Sequence, residues 1–522
     1  MRGKFPQRLY FIYLLAFVCL LVVSCHTVQE PKQQASASTE AFPIAGITID
    51  ELQHKLEHGD YTSVQIVNMY LDRINQIDIN GPALHSIIEI NPDALAIAAM
   101  LDKERANHHI RGSLHGIPVV IKDNIDTYDQ MHTTAGSVAM LDNRPEKDAF
   151  IVTRLREAGA IIIGKANLSE WANFRSYQSV SGWSSRGGQT KNPYLLDESP
   201  CGSSSGSAVA VAADLCMVSI GTETDGSIAC PSSMNGVVGI KPTVGLVSRS
   251  GIIPISKSQD SPGPMARNVR DAAILLGVIS GYDPFDEMTQ GTTGHMPEDY
   301  TAFMKKGSLK GKRIGVEKTM VGQPNAIGVL MDKAIAEMQN EGAVIVEVDF
   351  ASHYTEIEER EFDLLKYEFK DGLNQYLTKS HGPISSLEDI IRFNTENEKW
   401  VMPSFKQEIM QDAQAKGGLN TMEYMLDVSS LLNLKKYITD LMTSNDLDAL
   451  CGAGSGAYSP AAVAGLPSIT VPMGLAEDLP VGITFFGRAY DEPTLLGIAY
   501  GYEQASKMRT APKFLPTYVK RP

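Results

Sequence analysis

Residues 201–207 read Cys201-Gly202-Ser203-Ser204-Ser205-Gly206-Ser207 and run straight into the apolar segment Ala208 to Ala213. A second polar turn, Gly221-Thr222-Glu223-Thr224-Asp225-Gly226-Ser227, follows the apolar segment Met217 to Ile220. Two glycine- and serine-rich turns therefore bracket one predicted helix and one predicted strand. Composition alone would make such turns flexible connectors. A connector, however, does not enclose an apolar helix and strand. The second turn is also crowded with residues that expose backbone N–H groups, the donors an oxyanion requires.

Working outward, strands are predicted at Ser86 to Ile90, Ile117 to Ile121, Ala160 to Gly164, Met217 to Ile220, Arg313 to Val316, Ala343 to Val348 and Ser468 to Val471, with helical patterns between most of them. Thr48 and Glu51 form a capping-box pattern, and Asn91-Pro92 reads as the cap and first residue of a helix running to about Arg105. This alternation predicts an α/β fold with a sheet covered on both faces and chemistry at the strand ends. The stretch from about Glu287 to Met442 is richer in charge and helix and reads as an insertion lining the substrate approach.

The chain has 522 residues, 43% hydrophobic and 20% charged, with a formal net charge of -15. It can bury a large core, and it carries no basic run suited to a phosphate backbone, so no nucleic-acid partner is expected. No dinucleotide fingerprint and no internal repeat is present, and no cofactor is indicated. His54 and His58 stand one helical turn apart, but on a highly charged face without a third ligand; they read as solvated surface, and no metal is expected.

Arg2, Lys4 and Arg8 precede an apolar run from Tyr10 to Val23, the pattern of an export signal. The run ends Val22-Val23-Ser24-Cys25, which resembles the bacterial lipobox, in which the cysteine receives lipid and becomes the new N-terminus. Residues 1–24 are then a lipoprotein signal peptide, residues 25–44 a flexible tether, and residues 45–522 the folded domain. Cys25 would anchor the protein by lipid on the periplasmic side or outer membrane of a bacterial envelope. An uncleaved N-terminal anchor is the alternative. Cys201, Cys216, Cys230 and Cys451 form no disulfide framework by number or spacing and read as small buried thiols.

The serine-rich turns resemble those of the amidase signature family, whose pattern is a Gly-Ser-Ser-Gly type loop followed by Gly-x-Asp-x-Gly-Gly-Ser or a near variant. The family lysine lies in a Gly-x-Pro-x-x-x-Lys-Asp segment, matched by Gly116-Ile117-Pro118-Val119-Val120-Ile121-Lys122-Asp123. The resemblance continues through Gly164 to Trp171, Gly239 to Thr243, Gly263 to Arg267 and Ala464 to Ser468, and so covers most of the body. It implies a single large domain with a central mixed sheet, Ser227 as nucleophile, Ser203 as proton relay after a cis peptide bond, and Lys122 as base. Cys201, where a glycine is common, and Ala229, where many members have arginine, depart from the pattern.

The chemistry suits these residues. An amide needs its attacking hydroxyl deprotonated and its departing nitrogen protonated. Lys122 follows four apolar residues, which favours a desolvated, neutral amine. Backbone N–H groups from Thr224 to Ser227 are the expected oxyanion donors, with Gly226 allowing close approach and Asp225 shaping the turn. Gly182 to Gln189 and Gly221 to Gly226 look most like bacterial peptide amidases, so the expected substrate is a C-terminally amidated peptide. Small aliphatic or aryl amides, and a non-catalytic lipid-anchored binding protein on the same scaffold, are the alternatives. Gly202-Ser203-Ser204-Ser205-Gly206 also fits the esterase elbow with Ser204 as nucleophile; no strand is predicted just before it. A glutamine-dependent transamidase shares the family fold, but the export signal disfavours it.

Overall fold

The computed structural model describes residues 42–380 and 382–517. Cys25, the signal and most of the expected tether lie outside them. Phe42 to Ala45 form a turn closed by the Ala45 N–H on the Phe42 carbonyl at 2.9 Å. The described residues from Gly46 onward form one compact unit.

Its strands are β1 (Ile87–Ile90), β2 (Pro118–Lys122), β3 (Ile161–Ala166), the two-residue pair β4 (Trp183–Ser184) and β5 (Gly188–Gln189), β6 (Val218–Glu223), β7 (Val238–Lys241), β8 (Ser261–Ala266), β9 (Arg313–Glu317), β10 (Val344–Val348), β11 (Ala449–Ala453), β12 (Ser468–Ala476) and β13 (Leu479–Phe486). Eleven of them make one mixed sheet in the order β1-β3-β2-β6-β8-β7-β12-β13-β11-β9-β10. Every residue of β2, β3 and β6 is buried, so both faces of the sheet are covered there. β2 lies parallel between β3 and β6, in a register that sets Ile121 opposite Ile220. The α/β expectation with a mixed central sheet therefore holds.

The predicted strands all form. β7, β8, β11 and β13 were not legible in advance. β8 reads Ser-Pro-Gly-Pro-Met-Ala, and two prolines argue against an interior strand. It nonetheless sits between β6 and β7, where Gly263 is essential to the packing: a Cβ there would lie 2.0 Å from the Ile240 carbonyl oxygen.

The capping box is present, with Thr48 and Glu51 exchanging bonds at the start of the Ile49–His58 helix. The next predicted start shifts. The helix spans Ala94–Ala106, and the Asn91 side chain instead accepts the Asp93 N–H at 2.9 Å, closing a turn before it. His54 and His58 stack at 4.0 Å on the first helix.

The charge-rich stretch from Glu287 to Met442 is not one insertion. It supplies β9 and the edge strand β10, the helix Ala326–Asn340 between them, and a run of helices from Ala351 to Ser444. Those helices, chiefly Glu358–Leu377 and Met422–Ser444, bring Leu364, Leu373, Ile390, Met410 and Ile438 into one core with body residues such as Trp171, Phe174, Leu450 and Phe486.

The expectation of four buried thiols is corrected. Cys201 and Cys230 form a disulfide, while Cys216 and Cys451 are free and buried. The pair is 29 residues apart in sequence, and only the packing of the two serine-rich turns brings its members together.

Candidate active site

The apolar run of β2 is drawn into the centre of the sheet, and this carries Lys122 to a fully buried position at the strand's end. Its Nζ lies 2.8 Å from Ser203 Oγ, 3.0 Å from the Thr222 carbonyl oxygen and 2.9 Å from Thr222 Oγ1. Burial pushes the amine down to about 7, against the opposing pull of the Asp260 and Glu223 charges. A neutral amine has two N–H bonds and one lone pair. The two Thr222 oxygens can accept its N–H bonds, which leaves the lone pair for the Ser203 hydroxyl. Asn124 Nδ2 donates to Thr222 Oγ1 at 3.0 Å and holds that acceptor in place.

Ser203 is 1% exposed and follows a cis Gly202–Ser203 peptide bond. Its carbonyl accepts the Ser169 N–H at 3.1 Å. The helix Ser205–Ala212 then begins, buried throughout. It fits because Gly206 has no side chain: a Cβ would stand 2.3 Å from the Ser86 carbonyl oxygen and 2.4 Å from that of Asn167. Ser204, the nucleophile of the esterase reading, has its hydroxyl committed to backbone. It donates to the Thr222 carbonyl at 3.0 Å and accepts the Thr222 N–H at 3.1 Å.

Ser227 ends the turn between β6 and the helix Ala229–Met234 and is 8% exposed. The turn is gathered around the buried Glu223 carboxylate, whose Oε2 accepts from Ile228 N at 2.7 Å and Ala229 N at 2.8 Å. Gly226 adopts a φ of +73°, and a Cβ there would lie 2.5 Å from Tyr458 Cε2. Thr224 Oγ1 donates to Asp260 Oδ1 at 2.6 Å, and Asp260 Oδ2 accepts the N–H groups of Ile255 and Ser256 at 2.8 and 2.9 Å. Burial raises the Asp260 carboxyl to about 6.

Asp225 is half-buried, and Tyr354 Oη donates to its Oδ2 at 3.4 Å. Burial and the neighbouring Glu223 charge push the Asp225 carboxyl up. Asp225 lines a cleft of about 1140 Å³ whose other wall comes mainly from residues 354–366 of the helical region. The structure thus brings Lys122, Ser203 and the Thr224–Ser227 turn to the same ends of β2 and β6. Thr222, Asn124, Glu223 and Asp260 were missed by the sequence reading. Thr222 and Glu223 stood inside the quoted turn, but no local pattern marks Asp260, which only the pairing of β6 with β8 brings in.

Residues 65–453 match the Amidase family model. A probable amidase of Arabidopsis thaliana is 43% identical over 91% of this chain and 93% of its own. A putative amidase of Schizosaccharomyces pombe is 38% identical over 92% of this chain and 90% of its own. The native peptide amidase of Stenotrophomonas maltophilia superposes with a TM-score of 0.86 at 47% identity, covering 91% of this chain and all of that one. The ordered motifs, the eleven-stranded mixed sheet and these matches along nearly the whole body agree, and the chain belongs to the amidase family.

Proposed function

We propose that the protein hydrolyses carboxamides through an acyl-enzyme on Ser227, with Ser203 relaying a proton to Lys122. The observation that carries this reading is the buried Lys122 amine against Ser203 Oγ at 2.8 Å. As Ser227 Oγ attacks the carbonyl carbon, its proton passes to Ser203 and the Ser203 proton to Lys122. The relay then runs in reverse to protonate the departing nitrogen, which leaves as ammonia from a primary amide. Water releases the acyl group by the same relay. The oxyanion donors proposed are the backbone N–H groups from Thr224 to Ser227, Gly226 included; one such donor is worth about 3 kcal/mol. No metal or organic cofactor has a part in these steps.

The substrate proposed is a C-terminally amidated peptide. Two features support it: the 47% identity to a peptide amidase and a cleft of about 1140 Å³ beside Asp225, roomy enough for a short peptide. The test is ammonia release from a panel of amidated dipeptides, small aliphatic amides, aryl amides and esters. Turnover confined to the small amides would overturn the peptide assignment, and no turnover of any amide would favour the non-catalytic binding protein. We further propose export to the bacterial envelope with a lipid anchor on Cys25. The Cys201–Cys230 disulfide supports an oxidising compartment.

A further inference from the structure

Ser203 and Ser227 are held together from two sides. On one side the Ser204 N–H bonds the Ser227 carbonyl at 3.2 Å. On the other, the chain from Ser203 runs back through Gly202 to Cys201, across the disulfide to Cys230, and back through Ala229 and Ile228 to Ser227. This covalent path holds seven residues, 201–203 and 227–230, and has both reacting hydroxyls at its inner ends.

The two segments it joins are held in different ways. The Ser227 side is fixed by the Glu223 carboxylate and by the Cys230 N–H on the Gly226 carbonyl at 2.8 Å. The Ser203 side arrives from residues 190–204, which hold no helix or strand. Next to the disulfide, Asn235 Nδ2 also reaches the Pro200 carbonyl at 2.8 Å, so that loop is tied where it approaches the helix Ala229–Met234. The sheet, the helix Ser205–Ala212 and the buried core secure the surrounding fold without it. Cys201 and Cys230 are only partly buried, so a small reductant can reach the bond between them.

We propose that the Cys201–Cys230 disulfide is a positioning element for the relay serine, and that it makes amide turnover dependent on an oxidising environment. The inference rests on the Ser-Ser-Lys reading above. An external dithiol attacks one sulfur as thiolate and forms a mixed disulfide, and its second thiol resolves this. The dithiol becomes a cyclic disulfide, and its two electrons and two protons leave Cys201 and Cys230 as thiols. Ser203 then loses one of its two ties to Ser227. Displacement of a reacting group by about 1 Å costs on the order of a hundredfold in rate, so turnover falls while the substrate cleft is unchanged.

The test treats the full-length protein with dithiothreitol, maps the Cys201 and Cys230 thiols by alkylation and mass spectrometry, and measures kcat and KM on an amidated dipeptide. The expected result is a kcat loss of about tenfold or more with KM within about twofold, an unchanged far-ultraviolet circular dichroism spectrum, and recovery on reoxidation with glutathione disulfide. The Cys201→Ser/Cys230→Ser variant should show the same low kcat and ignore the reductant. Full kcat once both thiols are reduced overturns the proposal, as does loss of kcat together with the folded spectrum, or finding the two cysteines free in untreated protein. The underlying mechanism fails by a different result, amide turnover by Ser227→Ala, whatever the thiols do.

Discussion

The Ser204 N–H donates to the Ser227 carbonyl at 3.2 Å, while the Ser204 hydroxyl is spent on the backbone of Thr222. Three adjacent serines thus have different work: Ser203 faces the lysine, Ser204 joins the two turns, and Ser205 Oγ donates to the Cys201 carbonyl. Ser204→Ala is expected to lose about 1–3 kcal/mol of stability, because a buried backbone N–H loses its acceptor. An active-site serine probe should still label Ser227 in that variant. Labelling at Ser204 in the wild type would instead establish the esterase elbow.

Gly226→Ala combines two costs. The residue sits at a φ of +73°, and its Cβ would press on Tyr458 Cε2 at 2.5 Å. The variant should lose about 1–3 kcal/mol of stability and most of its activity, since the proposed nucleophile is the next residue. Adding Tyr458→Ala relieves the contact but not the backbone conformation. Stability measurements on the single and double variants should therefore show partial recovery, and full recovery would mean that the φ costs nothing.

Lys122 also leaves a mark on stability. Its folded pKa of about 7 lies below the ordinary 10.5, so between those values the unfolded chain binds the extra proton and stability rises with pH. The penalty is complete below about pH 7 and gone above 10.5. Lys122→Met removes it at a pH-independent cost in lost hydrogen bonds. Denaturant melts should show the variant gaining on the wild type by a few kcal/mol as the pH falls from about 10 to about 7, on the order of 1.4 kcal/mol for each step of one in pH. A difference independent of pH would place the charged amine in the native protein throughout.

Cys25→Ala is expected to block lipidation, because Val22-Val23-Ser24-Cys25 follows an apolar run and precedes a polar stretch rich in Gln, Ser and Thr. Mass spectrometry of the N-terminal peptide should find a lipidated Cys25 as the first residue of the wild type and none in the variant. A mature N-terminus far from residue 25 without lipid would refute the anchor.

The parts of the fold legible in the sequence were those whose local pattern agrees with their tertiary role. Pro118 to Ile121 is apolar because both faces of β2 are covered, and Thr48 and Glu51 cap their helix through bonds within four residues. β8 was not legible, because its two prolines oppose the strand that its neighbours impose. The Lys122, Ser203 and Ser227 set was readable only as a resemblance, since no spacing in one dimension brings residues 122 and 203 to 2.8 Å. The disulfide failed for the same reason. Glu223 was visible as a residue of the turn, but its work of gathering the Ile228 and Ala229 N–H groups depends on the turn's fold.

The most direct measurement is the pH dependence of acylation for a matched amide and ester, in the wild type and in Lys122→Ala. A base must be neutral to accept a proton, and burial puts this amine at about 7. The wild-type rate on the amide should rise with pH through a single ionisation near that value and level off on the alkaline side. Lys122→Ala should lose most of its amide turnover, by about a hundredfold or more, and less of its ester turnover, because an alkoxide leaves without the proton an amine needs. Near-wild-type amide turnover in Lys122→Ala, or a wild-type profile flat from pH 6 to 8 where an amine titrating at about 7 must change charge, would contradict the Ser-Ser-Lys mechanism.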